Sequence, residues 1–330
     1  MDLPTTIAEF DSSRLKGKGA SVTIGNFDGC HAGHLELIRK CNSDRGDDQL
    51  KSIAVTFTPH PQQFFTNLPA KKLFLDQHKS DCLKELGIDI VLFQKFNEEF
   101  SALTHEEFLD ILANKLKAKS ITIGHDFRFG QNRKGTAEWL KIKCKDKGIS
   151  VSIIEPQKSE KMPISSSRIR NIISNDGDMQ LTERLLGRPY MIEGIVFEGD
   201  KIGRKISTPT ANLDNIKQII PKQGVYAGYI TSPQQYTDHI SQLSKNAVKA
   251  VFNIGNRPTV EKSQQMRVEG HGIDTNWALG ELYKEKLRFH FCKRIRDEKK
   301  FSSLDALQKQ IKLDIESANE VFSKSNKHRA

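Results

Sequence analysis

Ser21-Val22-Thr23-Ile24, then Gly25-Asn26-Phe27-Asp28-Gly29-Cys30, then His31-Ala32-Gly33-His34-Leu35-Glu36-Leu37-Ile38-Arg39-Lys40 form one continuous stretch whose reading decides the fold. The first piece is β-rich, the second is a glycine-bearing turn, and the third opens a segment with helical apolar spacing. A strand, a turn and a helix N-terminus in that order offer free backbone N–H groups and a positive dipole end to an anion. His31 and His34 stand three apart and share one face of the first turn, within reach of phosphate oxygens. Gly33 between them predicts close approach of a phosphate to the backbone. Standing alone, the His-x-Gly-His tetrapeptide reads as two surface histidines; the ordered context carries the phosphate reading.

Working outward, the first half alternates strand-like and helix-like segments. Strands are predicted at Ser21–Ile24, Ile53–Phe57, Ile88–Phe93, Ser120–Ile123 and Ser150–Ile154. Helices are predicted at His34–Cys41, Asp76–Leu86, Thr104–Lys115 and Gly135–Lys147, with a capping-box pattern at Thr104-His105-Glu106-Glu107. Such alternation implies an α/β doubly wound parallel sheet, with ligands beyond the carboxyl ends of its strands. The texture changes near Leu186-Gly187-Arg188-Pro189. Beyond it, β-rich runs at Met191–Phe197, Gly224–Ile230, Ala247–Ile254, Gln265–His271 and Leu287–Cys292 suggest an antiparallel barrel. A terminal helix from Ser303 to about Phe322 closes the chain, with Leu304, Leu307, Ile311 and Ile315 spaced for one buried face and a frayed polar end at Ser323–Ala330. Pro233–Lys245 reads as a long surface loop.

At 330 residues the chain accommodates two ordinary domains, and 37% hydrophobic with 28% charged content describes a globular protein. Neither a secretory signal nor an apolar run of bilayer length is present. The five cysteines Cys30, Cys41, Cys82, Cys144 and Cys292 are scattered, odd in number and without Cys-x-x-Cys pairing. They read as reduced cytoplasmic thiols, not a disulfide framework or zinc site. The formal charge of +10 suits phosphorylated nucleotide substrates. It is dispersed, with no basic helix or RNA-recognition signature, so no nucleic-acid partner and no membrane partner is expected.

Gly25–His34 resembles the signature of the His-x-Gly-His nucleotidyltransferases, in particular the branch that adenylylates FMN. Gly124-His125-Asp126-Phe127-Arg128-Phe129-Gly130, Ile164-Ser165-Ser166-Ser167-Arg168-Ile169-Arg170 and Pro209-Thr210-Ala211-Asn212 follow in the order found in the bacterial bifunctional riboflavin kinase/FMN adenylyltransferases. The resemblance covers nearly the whole chain. It implies a Rossmann-like nucleotidyltransferase domain over 1–186 and a riboflavin kinase β-barrel with a C-terminal helix over 187–330.

In the first domain, adenylyl transfer needs aligned groups and stabilised negative charge more than covalent chemistry. His31 and His34 are the expected donors to phosphate oxygens, with Asn26 as a neutral donor from the turn. Gly25, Asp28 and Gly33 belong to the same ATP-binding turn, Asp28 bracing it or orienting a histidine, since a carboxylate against phosphate repels. Ser165, Ser166 and Ser167 read either as a solvated N-cap or, by resemblance, as the motif holding the β- and γ-phosphates, with Arg170 as its guanidinium clamp. Asp126 and Phe129 are implied on the flavin or adenosine side. Phe64 is the aromatic candidate for flavin contact, while Phe57 and Phe65 read equally as core. Cys30 stands where the family has an aliphatic residue, and its place beside a helix N-terminus predicts an acidic thiol whose alkylation slows FAD formation.

In the second domain no Walker pattern is present. Gly199-Asp200-Lys201-Ile202-Gly203-Arg204 is the candidate ATP loop, with Gly199 and Gly203 as its binding glycines. Thr210 and Asn212 supply hard oxygens for a magnesium ion that keeps several waters. Asn253-Ile254-Gly255-Asn256-Arg257-Pro258-Thr259 and Arg296-Asp297-Glu298-Lys299-Lys300-Phe301 strengthen the likeness, Arg296 standing on the flavin side. Val268-Glu269-Gly270-His271 matches the family's Glu-x-His strand and makes Glu269 the general base for the riboflavin hydroxyl. The chain departs from the pattern at Ser207-Thr208, at Gly272 with Thr275-Asn276, and at Lys284, where glycine is usual; a weakened kinase is the expectation. The alternatives are an adenylyltransferase with a kinase-like barrel of lost activity, a cytidylyltransferase acting on another substrate, and an RNA-associated protein. The expected species are ATP, riboflavin, FMN, FAD and Mg2+, and the expected state is a monomer or weak homo-oligomer.

Overall fold

The computed structural model describes residues 5–46, 50–66, 71–197, 210–233, 247–256, 266–273, 275 and 282–327. The chain divides into two compact units, Met1–Ala70 with Phe74–Ser165, and Lys71–Leu73 with Ser166–Ala330.

In the first unit, strands β1 (Ala20–Ile24), β2 (Lys51–Thr58), β3 (Ile90–Lys95), β4 (Ala118–Gly124) and β5 (Ser150–Ile154) form a parallel sheet in the order β3-β2-β1-β4-β5. Val22 on β1 pairs with Ile53 on one side and Ile121 on the other. Helices α1 (Ala32–Ser43), α2 (Pro61–Thr66), α3 (Asp76–Glu85), α4 (His105–Asp110) and α5 (Ala137–Asp146) accompany it. Both sheet faces are covered. Val22, Ile24, Ile53, Val55, Ile90 and Leu92 enter one core with Leu112 and Leu140, while Ala54, Val91 and Phe93 enter another with Leu37, Ile38 and Leu83. A strand buried on both sides needs apolar residues at nearly every position, which is why these segments are legible as strands. Two hydroxyls buried between sheet and α1 are satisfied internally: Ser120 Oγ donates to Ser21 Oγ and Ser21 Oγ donates to the Cys41 carbonyl, both at 2.7 Å.

The capping box at Thr104 and Glu107 forms, but the helix behind it passes from α4 into a π-helical turn at Ile111–Lys115. The helix expected from Gly135 starts two residues later. Gly135–Thr136 instead pairs with Arg128–Phe129 in a short hairpin, and a β-carbon on Gly135 would lie 2.7 Å from the Phe129 ring.

The second unit opens with α6 (Ser166–Asn171) and α7 (Met179–Leu186). It continues into strands β6 (Tyr190–Phe197), β7 (Ala211–Asp214), β8 (Gly224–Thr231), β9 (Val248–Asn256), β10 (Met266–Gly272) and β11 (Lys286–Arg296). These close an antiparallel barrel in the order β6-β7-β10-β9-β8-β11, β11 pairing back onto β6. Strand β7 lacks a four-residue apolar run, so periodicity alone did not announce it. Helix α8 spans Leu304–Lys327, beyond the expected end near Phe322. Of the four positions expected on one buried face, Leu304 is 52% exposed while Leu307, Ile311 and Ile315 are half-buried, and the stripe continues through buried Asp314, Ala318 and Phe322. Ala318 and Phe322 pack with Ala227 and Ile273 of the barrel side, and Ile315 lies against the same cluster.

Candidate functional site

The chain runs from β1 outward to β3, then returns to β4 on the other side of β1. Strand order therefore reverses at β1 and β4, the place where open α/β sheets accept ligands beyond the strand ends. The Gly25–His31 turn leaves β1 there, and the loop from Gly124 leaves β4.

The turn is held from beneath. Phe27, Gly29 and Cys30 adopt left-handed φ values of 47°, 82° and 40°. Phe27 and Cys30 tolerate this because their side chains are anchored in the core, with Leu37, Ile38 and Phe74 among their neighbours. Cys30 is 0% exposed, with Sγ 3.4 Å from the Phe27 carbonyl. That position corrects the alkylation expectation: the thiol is core, out of reach of a reagent in the folded protein. Asp28 is buried, and its Oδ1 accepts the Phe74 N–H at 3.0 Å, tying the turn to the segment before α3. The half-buried Asn26 is fixed through its carbonyl, which accepts from Thr56 Oγ1 at 3.0 Å. Thr56 Oγ1 in turn accepts from the buried Lys79 Nζ at 3.1 Å, an ammonium that also lies 5.5 Å from the centre of the Phe93 ring.

His31 is the extended N-cap residue of α1, makes no side-chain cap bond, and is followed by a first turn without an acidic residue. The positive end of the helix dipole is therefore not neutralised locally. The His31 and His34 rings stack at 3.7 Å between centroids and 15° between planes, and Phe27 meets His34 edge-on at 5.3 Å. Gly33 also leaves room for a neighbouring ring. A β-carbon there would come within 3.2 Å of the His31 ring and 3.4 Å of the Ile164 carbonyl, so the room goes to the imidazole.

Around this turn the other sequence candidates sort by burial. Phe64 is half-buried on α2 in an aromatic group with Phe65, Phe96, Phe57 and Phe100, with ring separations of 5.3 to 5.9 Å. Phe65 is 66% exposed, so the core alternative does not describe it; half-buried Phe57 packs against the core. Phe129 is buried among Phe108 and Trp139, and half-buried Phe127, stacked on it at 5.3 Å, carries the open surface of that loop. Asp126 is exposed, its Oδ1 4.0 Å from His125 Nδ1. Ser165 ends the first unit, while Ser166, Ser167 and Arg170 belong to the six-residue α6 of the second.

The barrel assembles its candidates by register. Asn212 on β7 pairs with Glu269 on β10, and Glu269 pairs with Asn253 on β9, a polar row across three strands. Val268, Gly270 and Gly272 alternate into the barrel, leaving Arg267, Glu269 and His271 on the other face. Arg267, which sequence reading passed over, reaches both neighbours. Its Nη2 lies 2.7 Å from Glu269 Oε1 and its Nε 3.4 Å from Asn212 Oδ1. Thr210 is half-buried immediately before β7. Gly255 faces Arg267 in the ladder, and a β-carbon on it would sit 2.0 Å from Glu298 Oε1, so the Glu298 carboxylate lies over that glycine. Asn253 reaches Glu269 only through strand pairing, whereas Arg267 stands two residues before it on the same strand, where the alternation of the strand could have pointed to it.

Arg296 is engaged elsewhere than expected. Its Nε and Nη2 donate to the two carboxylate oxygens of buried Asp314 at 2.8 and 2.7 Å, its Nη1 donates to the Asp297 carbonyl at 2.8 Å, and Phe301 stacks 5.9 Å away. The guanidinium fastens α8 to the end of β11. Lys284 sits at φ 73°, which explains why glycine is usual there. Gly199, Gly203, Ser207, Thr208 and Asn276 lie outside the described residues.

The buried thiols of Cys41 and Cys144 are pushed up to about 11 by burial, and all five cysteines are free and buried. Among the described residues no group of three His, Cys, Asp or Glu side chains is arranged to hold a metal, and no helix is long and apolar enough to cross a membrane.

Comparison with known proteins agrees with this division. The FAD synthetase family matches residues 14–168 and the riboflavin kinase family matches residues 186–322. The bifunctional riboflavin kinase/FMN adenylyltransferase of Haemophilus influenzae is 35% identical over 93% of this chain and 95% of its own. The protein of that description from Escherichia coli is 34% identical over 94% and 95%. A crystal structure from Streptococcus pneumoniae, titled a macrolide-efflux protein, superposes with a TM-score of 0.80 at 30% identity, covering 94% of this chain and 97% of that one.

Proposed function

Because the chain belongs to the bifunctional riboflavin kinase/FMN adenylyltransferase family, we propose that it phosphorylates riboflavin on the barrel and adenylylates the resulting FMN at the end of the parallel sheet. The observation that carries this reading is the His31–His34 stack at an α-helix N-terminus whose first turn holds no acid. Two imidazoles and a bare dipole end form a donor site for phosphate oxygens where strand order reverses.

In adenylyl transfer, an oxygen of the FMN phosphate forms a bond to the α-phosphorus of ATP while the bond to pyrophosphate breaks. His31 and His34 stabilise the negative charge spreading over the phosphates, and Asn26 donates from the turn that Asp28 and Thr56 hold rigid. Gly25 and Gly33 keep the backbone close, Ser165, Ser166, Ser167 and Arg170 take the outer phosphates, and the aromatic group around Phe64 receives the flavin. On the loop after β4, Asp126 and Phe127 face the ligand and Phe129 supports Phe127 from within the core.

In the kinase reaction, Glu269 takes the proton of the riboflavin terminal hydroxyl as its oxygen attacks the γ-phosphorus and ADP leaves. Thr210 hydroxyl and Asn212 carbonyl are hard oxygens, donors that fit Mg2+ and leave positions for water and phosphate. Bound there, the ion supplies charge neutralisation to the triphosphate. Gly199 and Gly203 belong to the ATP loop, Arg296 supports the flavin side by fixing α8, and the domains meet at 186/187. Free buried cysteines and dispersed basic charge support a cytoplasmic monomer or weak homo-oligomer acting on small molecules.

Purified protein given riboflavin, ATP and Mg2+ and followed by HPLC should accumulate FMN and then FAD. Conversion of supplied FMN but not of riboflavin would reduce the protein to an adenylyltransferase, and failure of both would overturn the reading.

A further inference from the structure

The Arg267–Glu269 ion pair has no place in the kinase chemistry just described. A general base must be open to the hydroxyl whose proton it takes, yet the Glu269 carboxylate is gripped by a guanidinium at 2.7 Å. The two side chains are only 17% and 20% exposed, so water screens them weakly. Arg267 also points Nε at Asn212 Oδ1 across 3.4 Å, the carbonyl suited to a cation. One positive group thus stands against the base and against an oxygen that a metal–nucleotide complex would use. Strand register sets this arrangement: Asn212 and Glu269 are cross-strand partners, and Arg267 is two residues from Glu269 on the same face of β10.

We infer that Arg267 is a latch on the kinase site, a stand-in cation that holds Glu269 and Asn212 together and is displaced when a magnesium–nucleotide complex arrives. The inference rests on the kinase reading of the barrel and concerns when that site becomes competent. A cation held against the Asn212 oxygen competes with the incoming ion, so the ion is bound less tightly than its oxygen donors alone would allow. The Glu298 carboxylate lies over Gly255, the ladder partner of Arg267.

The test compares the full-length protein with Arg267→Gln, which keeps hydrogen bonding and removes the charge. Two readouts are followed over a Mg2+ titration: the thermal shift produced by ADP, and the rate of FMN formation. Both half-saturation points should move to lower Mg2+ in the variant by about five-fold, the effect of removing one competing half-buried charge. FAD formation from supplied FMN should be unchanged, which reports that the chain is folded. Unchanged or higher Mg2+ requirements in both readouts would overturn the latch, as would a raised KM for ATP at saturating Mg2+, which would make Arg267 a phosphate ligand. Absence of FMN from the wild-type protein would sink the kinase reading instead, and the thermal shift would still register displacement of the ion pair.

Discussion

The nucleotide turn and the barrel face solve one problem, placing polar groups against phosphate, by opposite means. At the turn, Asn26, Asp28, His31 and His34 come from nine consecutive residues, and the geometry is a local matter of left-handed backbone and a helix start. On the barrel, Asn212, Asn253 and Glu269 come from three strands, and nothing but hydrogen-bond register brings them together. A site built along the chain is readable as a motif; a site built across it is readable only in fragments.

If the two constellations are independent, single substitutions should separate the activities cleanly. His31→Ala should lower FAD formation by roughly 10²–10³-fold, the usual loss for a phosphate-charge donor, while FMN formation stays within about two-fold. Glu269→Gln should do the converse, with FMN formation falling about 10²–10⁴-fold and FAD still made from supplied FMN. HPLC of both products checks this, and loss of both activities from either change in a folded chain would break the contrast.

The same contrast extends to stability in the first unit, where Asp89 stitches neighbouring strands. Burial alone would raise its pKa. Hydrogen bonds from the Ser52 N–H at 2.9 Å, Lys51 Nζ at 3.0 Å and Ser52 Oγ at 3.0 Å, with Arg45 nearby, hold it below the ordinary carboxylate value. A folded-state pKa below the unfolded value means the stabilisation is complete above about pH 4 and is lost as pH falls through the folded pKa. Asp89→Asn should therefore destabilise by about 1 kcal/mol at pH 7, and by little below pH 3, in denaturant melts at the two pH values.

The smallest effect tests the barrel. Lys284 carries a side chain at φ 73°, and Lys284→Gly should relieve the strain and stabilise the fold by up to about 1 kcal/mol, read as a rise in the denaturant midpoint. A fall would mean that the lysine side chain contributes packing that outweighs its backbone strain.

Much of the fold is legible in the chain because strands buried on both faces are rich in apolar residues: Ile53–Phe57 is predicted and lies inside the observed Lys51–Thr58, whose central residues are buried. The barrel strand Ala211–Asp214 is not, since its four residues are set by pairing with Phe197 and Gly270 and not by composition. Leu304 shows the converse error, an apolar residue in helical phase that stands 52% exposed at the first turn of its helix. Phe129 and Cys30 show a third: both belong to motifs, and both side chains go to the core.

Composition, periodicity and the Gly25–His34 stretch by themselves determined a two-part chain, a parallel sheet and the residues gathered at its phosphate turn, because local backbone preference and burial act over a few neighbouring residues. Tertiary structure alone decided that Arg296 fastens a helix through Asp314, that Asp28 ties the turn to Phe74, and that Asn212 and Asn253 flank Glu269. Those contacts depend on which strands and helices become neighbours in space, and short-range sequence pattern carries no record of that.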